Sequence, residues 1–334
     1  MKILWLKDDK IGHTNKVRGL LRALGEQLDF EVIECELFWR WSGIRQLLSR
    51  MGNAGLRLPV RWFISKLPDL QGVNLIISSG GSTQWPNAAL AKQFKIHNIF
   101  IGSTRKMNPA CFSLIALLDP PSESPPYFRF HLIPSLVTPT AAMLAADASG
   151  FGSGKSWGLL IGGDGEGVYW SDREYISLVE IFLSQAINAG VGIWIASSRR
   201  TPRHIESKVR SLVEKSGILV GACWFHDPQP EAVTLLVMMG ACMRLCVTID
   251  SMSMAHEAIS SGRPVIAVCP QHGGGAQLSS NVKKLEASGY IVMQQISNMS
   301  IADAEPLHGW KRIKDDPSAP LAAAVMSLIG IAQN

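Results

Sequence analysis

The sequence alternates short apolar runs with longer segments of helical periodicity, and this alternation decides what the chain can fold into. Such a pattern is typical of a mostly parallel β-sheet with helices on both faces. In the first half, the apolar runs predict strands and the periodic segments predict helices. The strands are expected at residues 3–6, 31–37, 73–78 and 98–101, and the helices at residues 14–27 and 85–94.

The pattern is interrupted by a Pro-rich stretch at residues 120–126 and a Gly/Ser-rich stretch at residues 150–156, and it then starts again. We therefore predict two doubly wound, Rossmann-like domains facing across a cleft, over residues 1–150 and 151–334, with the last helix free to pack back on the first domain. Ligands of such sheets bind at the carboxyl ends of the strands. Strands of the second half are expected at residues 157–161, 192–196, 223–225, 245–249 and 264–268, and helices at 171–189, from 202, at 252–260 and at 278–287.

The composition excludes several classes of protein. With 334 residues, of which 47% are hydrophobic and 18% charged, the chain is too apolar and too weakly charged to be disordered. The six cysteines form no CxxC pair and show no spacing typical of a zinc site, so we expect free thiols. No apolar run approaches the ~20 residues that a membrane-spanning helix needs, and no signal-peptide pattern is present. We expect a cytoplasmic protein, either free or peripheral on the inner face of the cytoplasmic membrane.

Residues 39–67, called the basic segment below, hold six basic residues and no acidic one. Basic residues interleaved with aromatic ones are typical of a surface that lies on anionic lipid. Two alternatives stay open: a surface that packs against another domain, and a nucleic-acid contact, although no nucleic-acid-binding motif accompanies the segment. The basic residues are Arg40, Arg45, Arg50, Arg57, Arg61 and Lys66, and the apolar ones are Trp39, Trp41, Leu47, Leu48, Trp62 and Phe63.

The loop after the first strand offers acid–base chemistry at the start of a helix. Thr14 or Asn15 can cap this helix. His13 stands at the expected edge of the cleft, where an imidazole can act as a general base. Asp8 or Asp9 is placed to orient His13 or to replace it. The alternative is a helix-capping turn with a solvent-exposed histidine.

Small and polar residues also follow two strands of the second half. The first of these strands ends at Gly162 and Gly163, which permit a close backbone approach. The next is followed by two hydroxyl residues and two arginines before a helix begins, which favours a clamp for a diphosphate group. The alternative is a pair of solvated arginines. The four residues are Ser197, Ser198, Arg199 and Arg200.

The most specific pattern begins at Asp250, where another predicted strand ends. Ser251 and Ser253 stand at the start of the next helix, whose free N–H groups favour a phosphate. Glu257 lies one turn after Ser253 on the same helical face, so its carboxylate can accept hydrogen bonds from two ribose hydroxyls. The alternative is an ordinary capped helix with a surface glutamate.

Residues 247–268 resemble the donor-nucleotide motif of GT-B glycosyltransferases, a group that includes the N-acetylglucosaminyltransferase of peptidoglycan synthesis. Residues 270–289 continue the likeness with a one-residue insertion, and the matching Gln277 implies a contact with the donor sugar. A closer resemblance is to the mitochondrial fission protein family, which comprises a plant organelle protein and many bacterial relatives. Its motifs occur here in order over about residues 1–290, namely an N-terminal Gly-His loop, a Gly-Gly strand end, Ser-Arg-Arg-Thr-Pro and Asp-Ser-x-Ser-Met-x-x-Glu-Ala.

The resemblance implies a GT-B fold and a nucleotide-sugar donor. We expect a metal-independent glycosyltransferase, since the sequence has no Asp-x-Asp metal motif, with arginines and helix N-termini stabilising the departing diphosphate. No cofactor is expected besides the nucleotide sugar as co-substrate, and the expected acceptor is a lipid-linked precursor of the cell envelope. Two other functions stay open, a non-catalytic membrane-associated scaffold of the fission type and an epimerase acting on a nucleotide sugar.

Overall fold

The computed structural model describes residues 1–40, 42–54, 58–105, 107–152, 154–165, 167–226, 234–271, 280–301 and 310–331. The chain divides into two units. Unit 1 comprises Met1–Leu136 and Pro317–Asn334, and unit 2 comprises Val137–Asp316. The predicted α/β class is confirmed, because each unit is built on a six-stranded parallel sheet connected by helices.

Unit 1 carries its sheet in the N-terminal part of the chain. Its elements in chain order are β1 (Lys2–Lys7), α1 (Ile11–Gly25), β2 (Glu31–Glu36), β3 (Phe38–Trp39), α2 (Arg45–Asn53), β4 (Ile64–Ser65), β5 (Val73–Ser79), α3 (Gln84–Phe94), β6 (His97–Ile101), β7 (Leu114–Leu117) and β8 (Tyr127–Arg129). The sheet has the order β2-β1-β5-β6-β7-β8, and β3 pairs with β4 in a separate antiparallel ribbon. The strand order reverses between β1 and β5, so the carboxyl ends of these two strands form the switch point of unit 1.

Unit 2 repeats this architecture with a different strand order. Its elements are α4 (Pro139–Ala148), β9 (Ser156–Leu160), α5 (Asp172–Ala189), β10 (Gly192–Ala196), α6 (Arg203–Lys215), β11 (Leu219–Cys223), α7 (Leu235–Ala241), β12 (Arg244–Thr248), α8 (Met252–Ser260), β13 (Val265–Cys269), α9 (Ser280–Ala287) and β14 (Val292–Gln295). The order β11-β10-β9-β12-β13-β14 is that of a dinucleotide-binding Rossmann sheet, with its switch point between β9 and β12. The last helix, α10 (Ala319–Leu328), belongs to unit 1.

The first strand illustrates how the cores of unit 1 are built. Ile3 and Trp5 lie in one hydrophobic cluster, whereas Leu4 and Leu6 lie in a second cluster. Successive side chains of a strand point to opposite faces, so a strand that is covered on both faces reads as a continuous apolar run. Val325 of α10 belongs to the first cluster, which fixes the last helix against the same sheet.

The division between the units falls between Leu136 and Val137, before the residue 150 predicted from the Gly/Ser-rich stretch. The physical reason is the packing of α4 on α7 within unit 2. Gly240 of α7 approaches the backbone of Ala142 so closely that a β-carbon at Gly240 would collide with the Ala142 carbonyl oxygen. This contact ties α4 to unit 2.

Two elements begin earlier than predicted. α1 begins at Ile11 instead of residue 14, because the backbone N–H groups of His13 and Thr14 already donate to Lys10 O, at 3.0 and 3.1 Å. The predicted capping by Thr14 or Asn15 is therefore wrong. β11 precedes the predicted strand at 223–225, since it pairs with β10 where Gly221 leaves room for the Trp194 ring. Among the described helices, none is long and apolar enough to cross a membrane.

Candidate functional site

The switch point of unit 1 brings together an aspartate, a histidine and a serine. Asp8 follows β1, His13 lies in the first turn of α1, and Ser82 follows β5. His13 Nδ1 lies 2.7 Å from Asp8 Oδ2, and Ser82 Oγ donates to the same oxygen at 3.3 Å. The side chain of Asp8 is only 7% exposed, whereas that of His13 is 28% exposed. The carboxylate is thus enclosed while the imidazole keeps access to solvent.

Gly80 makes this close approach possible. Its φ of +100° lies in a region that L side chains rarely adopt. A β-carbon at this position would also collide with Asp8 Oδ2 and His13 Nδ1. The turn after β5 therefore needs glycine for both its backbone conformation and its space.

The contact between Asp8 and His13 determines what the imidazole can do. When the ring is neutral, a hydrogen bond to a carboxylate places the proton on Nδ1 and leaves the lone pair on Nε2. Nε2 is then the atom able to accept a proton from a substrate hydroxyl. Asp9 is exposed and, among the described residues, has no hydrogen bond or ion pair. Of the two predicted aspartates, Asp8 is the one that contacts the histidine.

A further ionisable residue of α1 was not predicted from the sequence. Lys16 lies one turn after His13 and is half-buried, and burial lowers its pKa from the usual range. A lysine on the same helical face is often a solvated residue, so the sequence offered no signal that separates it from the other lysines of the chain.

The switch point of unit 2 is organised around Asp250, which follows β12 and is fully buried. Its Oδ2 accepts the backbone N–H of Gly163 at 2.6 Å, and its Oδ1 accepts Trp170 Nε1–H at 3.1 Å. Arg200 Nη2 donates to Asp250 O at 2.9 Å and lies 3.4 Å from Oδ2. One carboxylate therefore joins the loops after β9, β10 and β12.

Burial raises the pKa of Asp250 to about 6, although the hydrogen bonds from Gly163 and Thr248 and the charge of Arg200 act in the opposite direction. The same buried surroundings raise the pKa of Tyr175, whose ring stacks on Trp170 at 5.4 Å between centroids. Low polarity thus dominates the electrostatics beneath the loop that follows β9.

The two predicted glycines of unit 2 allow the loops to approach each other. Gly162 N donates to Thr248 Oγ1 at 2.6 Å, and Thr201 Oγ1 donates to Gly162 O at 2.6 Å. A β-carbon at Gly163 would collide with the backbone of Arg200. The N–H groups of Gly162 and Gly163 therefore form hydrogen bonds within the protein and are not available to a phosphate. The two glycines position the loops of the site instead.

The two predicted arginines have different surroundings. Arg200 is held by Asp250 and also donates to Asp164 O at 3.3 Å. Arg199 is exposed and, within the described part of the chain, has no hydrogen bond or ion pair. Only Arg199 has a guanidinium whose donors are all available to a ligand.

The two serines before the arginines support neighbouring loops. Ser198 Oγ accepts Arg200 N–H at 3.2 Å. Ser197 Oγ donates to Glu206, and it accepts Phe225 N–H at 2.8 Å. Glu206, which the sequence did not single out, is buried and also accepts the N–H of His226. Its only sequence signal is an acidic residue in the first turn of α6.

The N-terminus of α8 contains the remaining predicted residues of the nucleotide site. Ser251 is the N-cap and is buried, Ser253 is exposed in the first turn, and Glu257 is half-buried one turn later. The Ser251 side chain makes no capping hydrogen bond, and the N–H groups of a first helical turn have no partner within the helix. Gln277 lies outside the described residues.

The sequence pointed to both strand ends but not to the side chains that hold their loops in place. Thr248 accepts a hydrogen bond from Gly162, and Trp170 donates one to Asp250. The partners of each pair are far apart in the sequence, and no local pattern marks either contact. Among the described residues, no group of three or more His, Cys, Asp or Glu side chains is placed to hold a metal ion.

Comparison with known proteins identifies the fold and the family. Two similar structures are UDP-GlcNAc 2-epimerases, from Methanocaldococcus jannaschii (TM-score 0.57, 12% identity, covering 98% of this chain and 99% of the other) and from Neisseria meningitidis (0.53, 12%, 98% and 98%). MurG from Acinetobacter baumannii is also similar (0.46, 13%, 98% and 92%). No curated protein matches the sequence significantly.

The family comparison covers most of the chain. The sequence model described as mitochondrial fission ELM1 matches residues 11–325. The two parallel-sheet units described above are those of the GT-B fold found in the neighbouring structures. The chain therefore belongs to the mitochondrial fission ELM1 family and has a GT-B glycosyltransferase-like fold.

Proposed function

We propose that the protein is a glycosyltransferase that moves a sugar from a nucleotide-activated donor to an acceptor hydroxyl. The observation that carries this proposal is the switch point of unit 2. There, buried Asp250 holds three strand-end loops in place, while Arg199 and the first turn of α8 keep their donors available. Prepositioned donors of this kind suit a diphosphate.

In this proposal, the departing nucleoside diphosphate is stabilised without a metal ion. Arg199 supplies positive charge, and the hydroxyls of Ser251 and Ser253 together with the N–H groups of the first turn of α8 supply hydrogen bonds. Glu257, one helical turn further along α8, accepts hydrogen bonds from the ribose hydroxyls, and Gln277 contacts the donor sugar. Arg200 acts indirectly, by fixing the loop that carries Arg199.

The acceptor hydroxyl needs a base, and His13 is proposed for this role. Asp8 holds the Nδ1–H, which orients the ring and stabilises the imidazolium that forms when Nε2 takes the proton. The proposal requires His13 of unit 1 and the diphosphate site of unit 2 to serve the same transfer reaction, His13 on the acceptor hydroxyl and the diphosphate site on the donor.

The basic segment is proposed to contact an anionic membrane, where a lipid-linked acceptor of the cell envelope would be found. Phe38, just before this segment, and Leu47 and Trp62 within it are exposed apolar side chains. Arg40 and Arg61 are exposed as well, and basic residues beside apolar ones favour an anionic lipid surface. Trp41 and Arg57 lie outside the described residues.

Calorimetry with nucleoside diphosphates tests the donor site. We expect the wild type to bind UDP or another nucleoside diphosphate, and Glu257→Ala to bind it at least tenfold more weakly because about 1.4 kcal/mol of ribose hydrogen bonding is lost. Glu214→Ala, on the exposed end of α6, is the matched control. Absence of binding by the wild type, or equal binding by the Glu257 variant, would remove the donor site.

A panel of nucleotide sugars, with and without membrane extract, separates the possible functions. Nucleotide release that depends on the extract supports glycosyl transfer. Conversion of the donor alone would instead support an epimerase. Vesicle binding without nucleotide turnover would support a non-catalytic membrane scaffold, for which the exposed apolar side chains of the basic segment provide a surface.

A further inference from the structure

Unit 1 contains a cavity of about 420 Å³ that none of the predicted site residues lines. This volume falls in the range of about 300–1,000 Å³ that is usual for small-molecule sites. One face of α3 forms a wall of the cavity through Trp85, Ala88, Ala89 and Lys92. These residues follow the i, i+3, i+4, i+7 spacing of a single helical face, and the alanines leave the space empty.

The rest of the lining combines apolar side chains with polar groups that are hydrogen-bonded within the protein. Met107 and Phe112 are among its buried apolar residues. Asn98, its most polar residue, donates to Asn87 Oδ1 at 2.7 Å and to Cys111 O at 3.1 Å. The Asn98 Oδ1 atom accepts both the N–H and the hydroxyl of Ser113, at 2.8 and 3.1 Å. These polar groups are satisfied within the protein and gain nothing from a polar ligand.

Lys92 gives the cavity its charge. It is exposed, and it is the only charged side chain among the described residues that line the cavity. Its ammonium is close enough to the half-buried thiol of Cys111 to oppose the effect of burial on the pKa of that thiol. A ligand that fits this arrangement has an apolar body and one anionic end.

The cavity shares a wall with the basic segment. Trp85 contacts Trp39 and Phe63 of that segment, with ring centroids 6.1 and 5.5 Å away. Gly52, in the last turn of α2, also lines the cavity, and a β-carbon there would lie 3.1 Å from the Trp85 ring. The basic segment, which exposes the apolar side chains of Leu47 and Trp62, therefore also lines this cavity.

We propose that this cavity binds one hydrocarbon chain of an anionic amphiphile, with Lys92 pairing with its phosphate or carboxylate head. The binding holds whether or not the protein transfers a sugar, since it uses no residue of the two switch points. Two natural sources share this chemistry, a phospholipid of the bilayer and a polyprenyl phosphate that carries an acceptor.

The first test uses dodecyl phosphate below its micelle concentration, with dodecyl maltoside as the neutral probe, and calorimetry on the full chain. Ala89→Phe fills the cavity from a half-buried position. We expect it to weaken binding of both probes by about tenfold or more, because two buried methylenes at about 0.8 kcal/mol each already account for this loss. Lys92→Gln is expected to weaken only dodecyl phosphate, by about two- to fivefold, since an exposed pair contributes less than about 1 kcal/mol.

Lys95→Gln is the matched control, because Lys95 ends the same helix without lining this cavity. Alkylation of Cys111 by a maleimide, followed by mass spectrometry of its peptide, gives an independent readout. We expect dodecyl phosphate to slow alkylation of Cys111 but not of Cys223, a half-buried thiol in unit 2. Equal binding by the wild type and Ala89→Phe, or unprotected Cys111, would overturn the cavity as the site. An unchanged affinity for dodecyl phosphate in Lys92→Gln would overturn the role of the charge.

Competition from neutral vesicles distinguishes the two sources. Phosphatidylcholine vesicles are doped with either phosphatidylglycerol or a polyprenyl phosphate, and release of bound dodecyl phosphate is followed. Displacement by one of these lipids, but not by undoped vesicles, supports the proposal and names the source. Displacement by neither would overturn a natural anionic lipid as the occupant. UDP calorimetry on Ala89→Phe keeps this outcome separate from failure of the donor site, since UDP affinity is expected to stay unchanged.

Discussion

At the switch point of unit 1 the carboxylate of Asp8 faces Gly80, and at that of unit 2 the carboxylate of Asp250 faces Gly162. At both positions the carboxylate lies so close that a β-carbon on the glycine would collide with it. The two carboxylates differ in their partners. Asp8 bonds a titratable imidazole that remains 28% exposed, whereas the fully buried Asp250 bonds backbone and indole N–H groups and an arginine.

This difference separates a group that can take part in proton transfer from one that holds loops in place. A histidine with one nitrogen bound to a carboxylate and a second nitrogen free is suited to accept a proton. Asp250 is enclosed, and its oxygens are used by backbone, indole and guanidinium donors, so it holds the loops in place. Asp8 is therefore expected to matter mainly for turnover, and Asp250 mainly for stability and nucleotide binding.

The largest expected effect is that of Asp250→Ala. Removing the carboxylate leaves the buried donors of Gly163 and Trp170 unpaired beside an arginine, which we expect to lower the free energy of unfolding of unit 2 by about 4 kcal/mol. Asp8→Ala, the matched change in unit 1, is expected to cost about 1 kcal/mol. Hydrogen exchange in urea, read on peptides of each unit separately, measures both values. Equal losses for the two variants would contradict the division of roles.

The pH dependence of stability gives the second effect. Burial raises the pKa of Asp250 in the folded protein to about 6, from the ordinary value of 3.8 for an aspartate. Its protonated form is therefore favoured by folding, so the associated stability is complete below about pH 4 and is lost as pH rises through 6. We expect a loss of about 3 kcal/mol relative to Asp250→Asn, which does not titrate. Unfolding of both proteins at pH 4 to 7 measures this difference, and parallel curves would disprove the raised pKa.

The same comparison explains what the sequence could and could not predict. Each strand end was visible as an apolar run followed by glycine or polar residues, so the locations of Asp8, Gly162 and Asp250 were predictable. The contacts of Asp250 were not, because Trp170 and Arg200 reach it from the loops after β9 and β10, and the pattern of apolar runs does not reveal which strands are neighbours.

The sequence predicted the same role for two adjacent arginines, whereas their surroundings in the structure differ. Arg199 and Arg200 were predicted as a clamp because both precede a helix, but only their side-chain directions decide which one faces a ligand. The cavity of unit 1 could not be predicted from the sequence either. It is lined by Trp85 and the alanines of α3 together with Met107 and Phe112, and such an apolar helical face is usually filled by core packing.

The third effect concerns His13. His13→Ala is expected to lower turnover at least about 100-fold, equivalent to about 2.7 kcal/mol of barrier, because the acceptor hydroxyl loses its general base. Nucleoside diphosphate affinity is expected to stay unchanged, since the proposed donor site lies in unit 2. Steady-state kinetics and calorimetry measure the two quantities. As a control, Asp9→Ala alters an exposed aspartate next to Asp8 and should leave turnover near the wild-type value; retained turnover in His13→Ala would exclude His13 as the base.

The smallest expected effect distinguishes the two neighbouring arginines. Arg199→Gln is expected to weaken binding of a nucleoside diphosphate about tenfold, or about 1.4 kcal/mol, because one charge-assisted hydrogen bond to phosphate is lost. Its stability should equal that of the wild type, since this exposed side chain makes no hydrogen bond or ion pair with another described residue. Arg200→Gln is expected to lower stability instead, because its bonds to Asp250 and Asp164 are lost. Calorimetry measures the nucleoside diphosphate affinity of the two variants, and thermal unfolding measures their stability. Reversed results, with Arg199 stabilising the fold and Arg200 affecting only affinity, would show that Arg200 is the residue that faces the ligand.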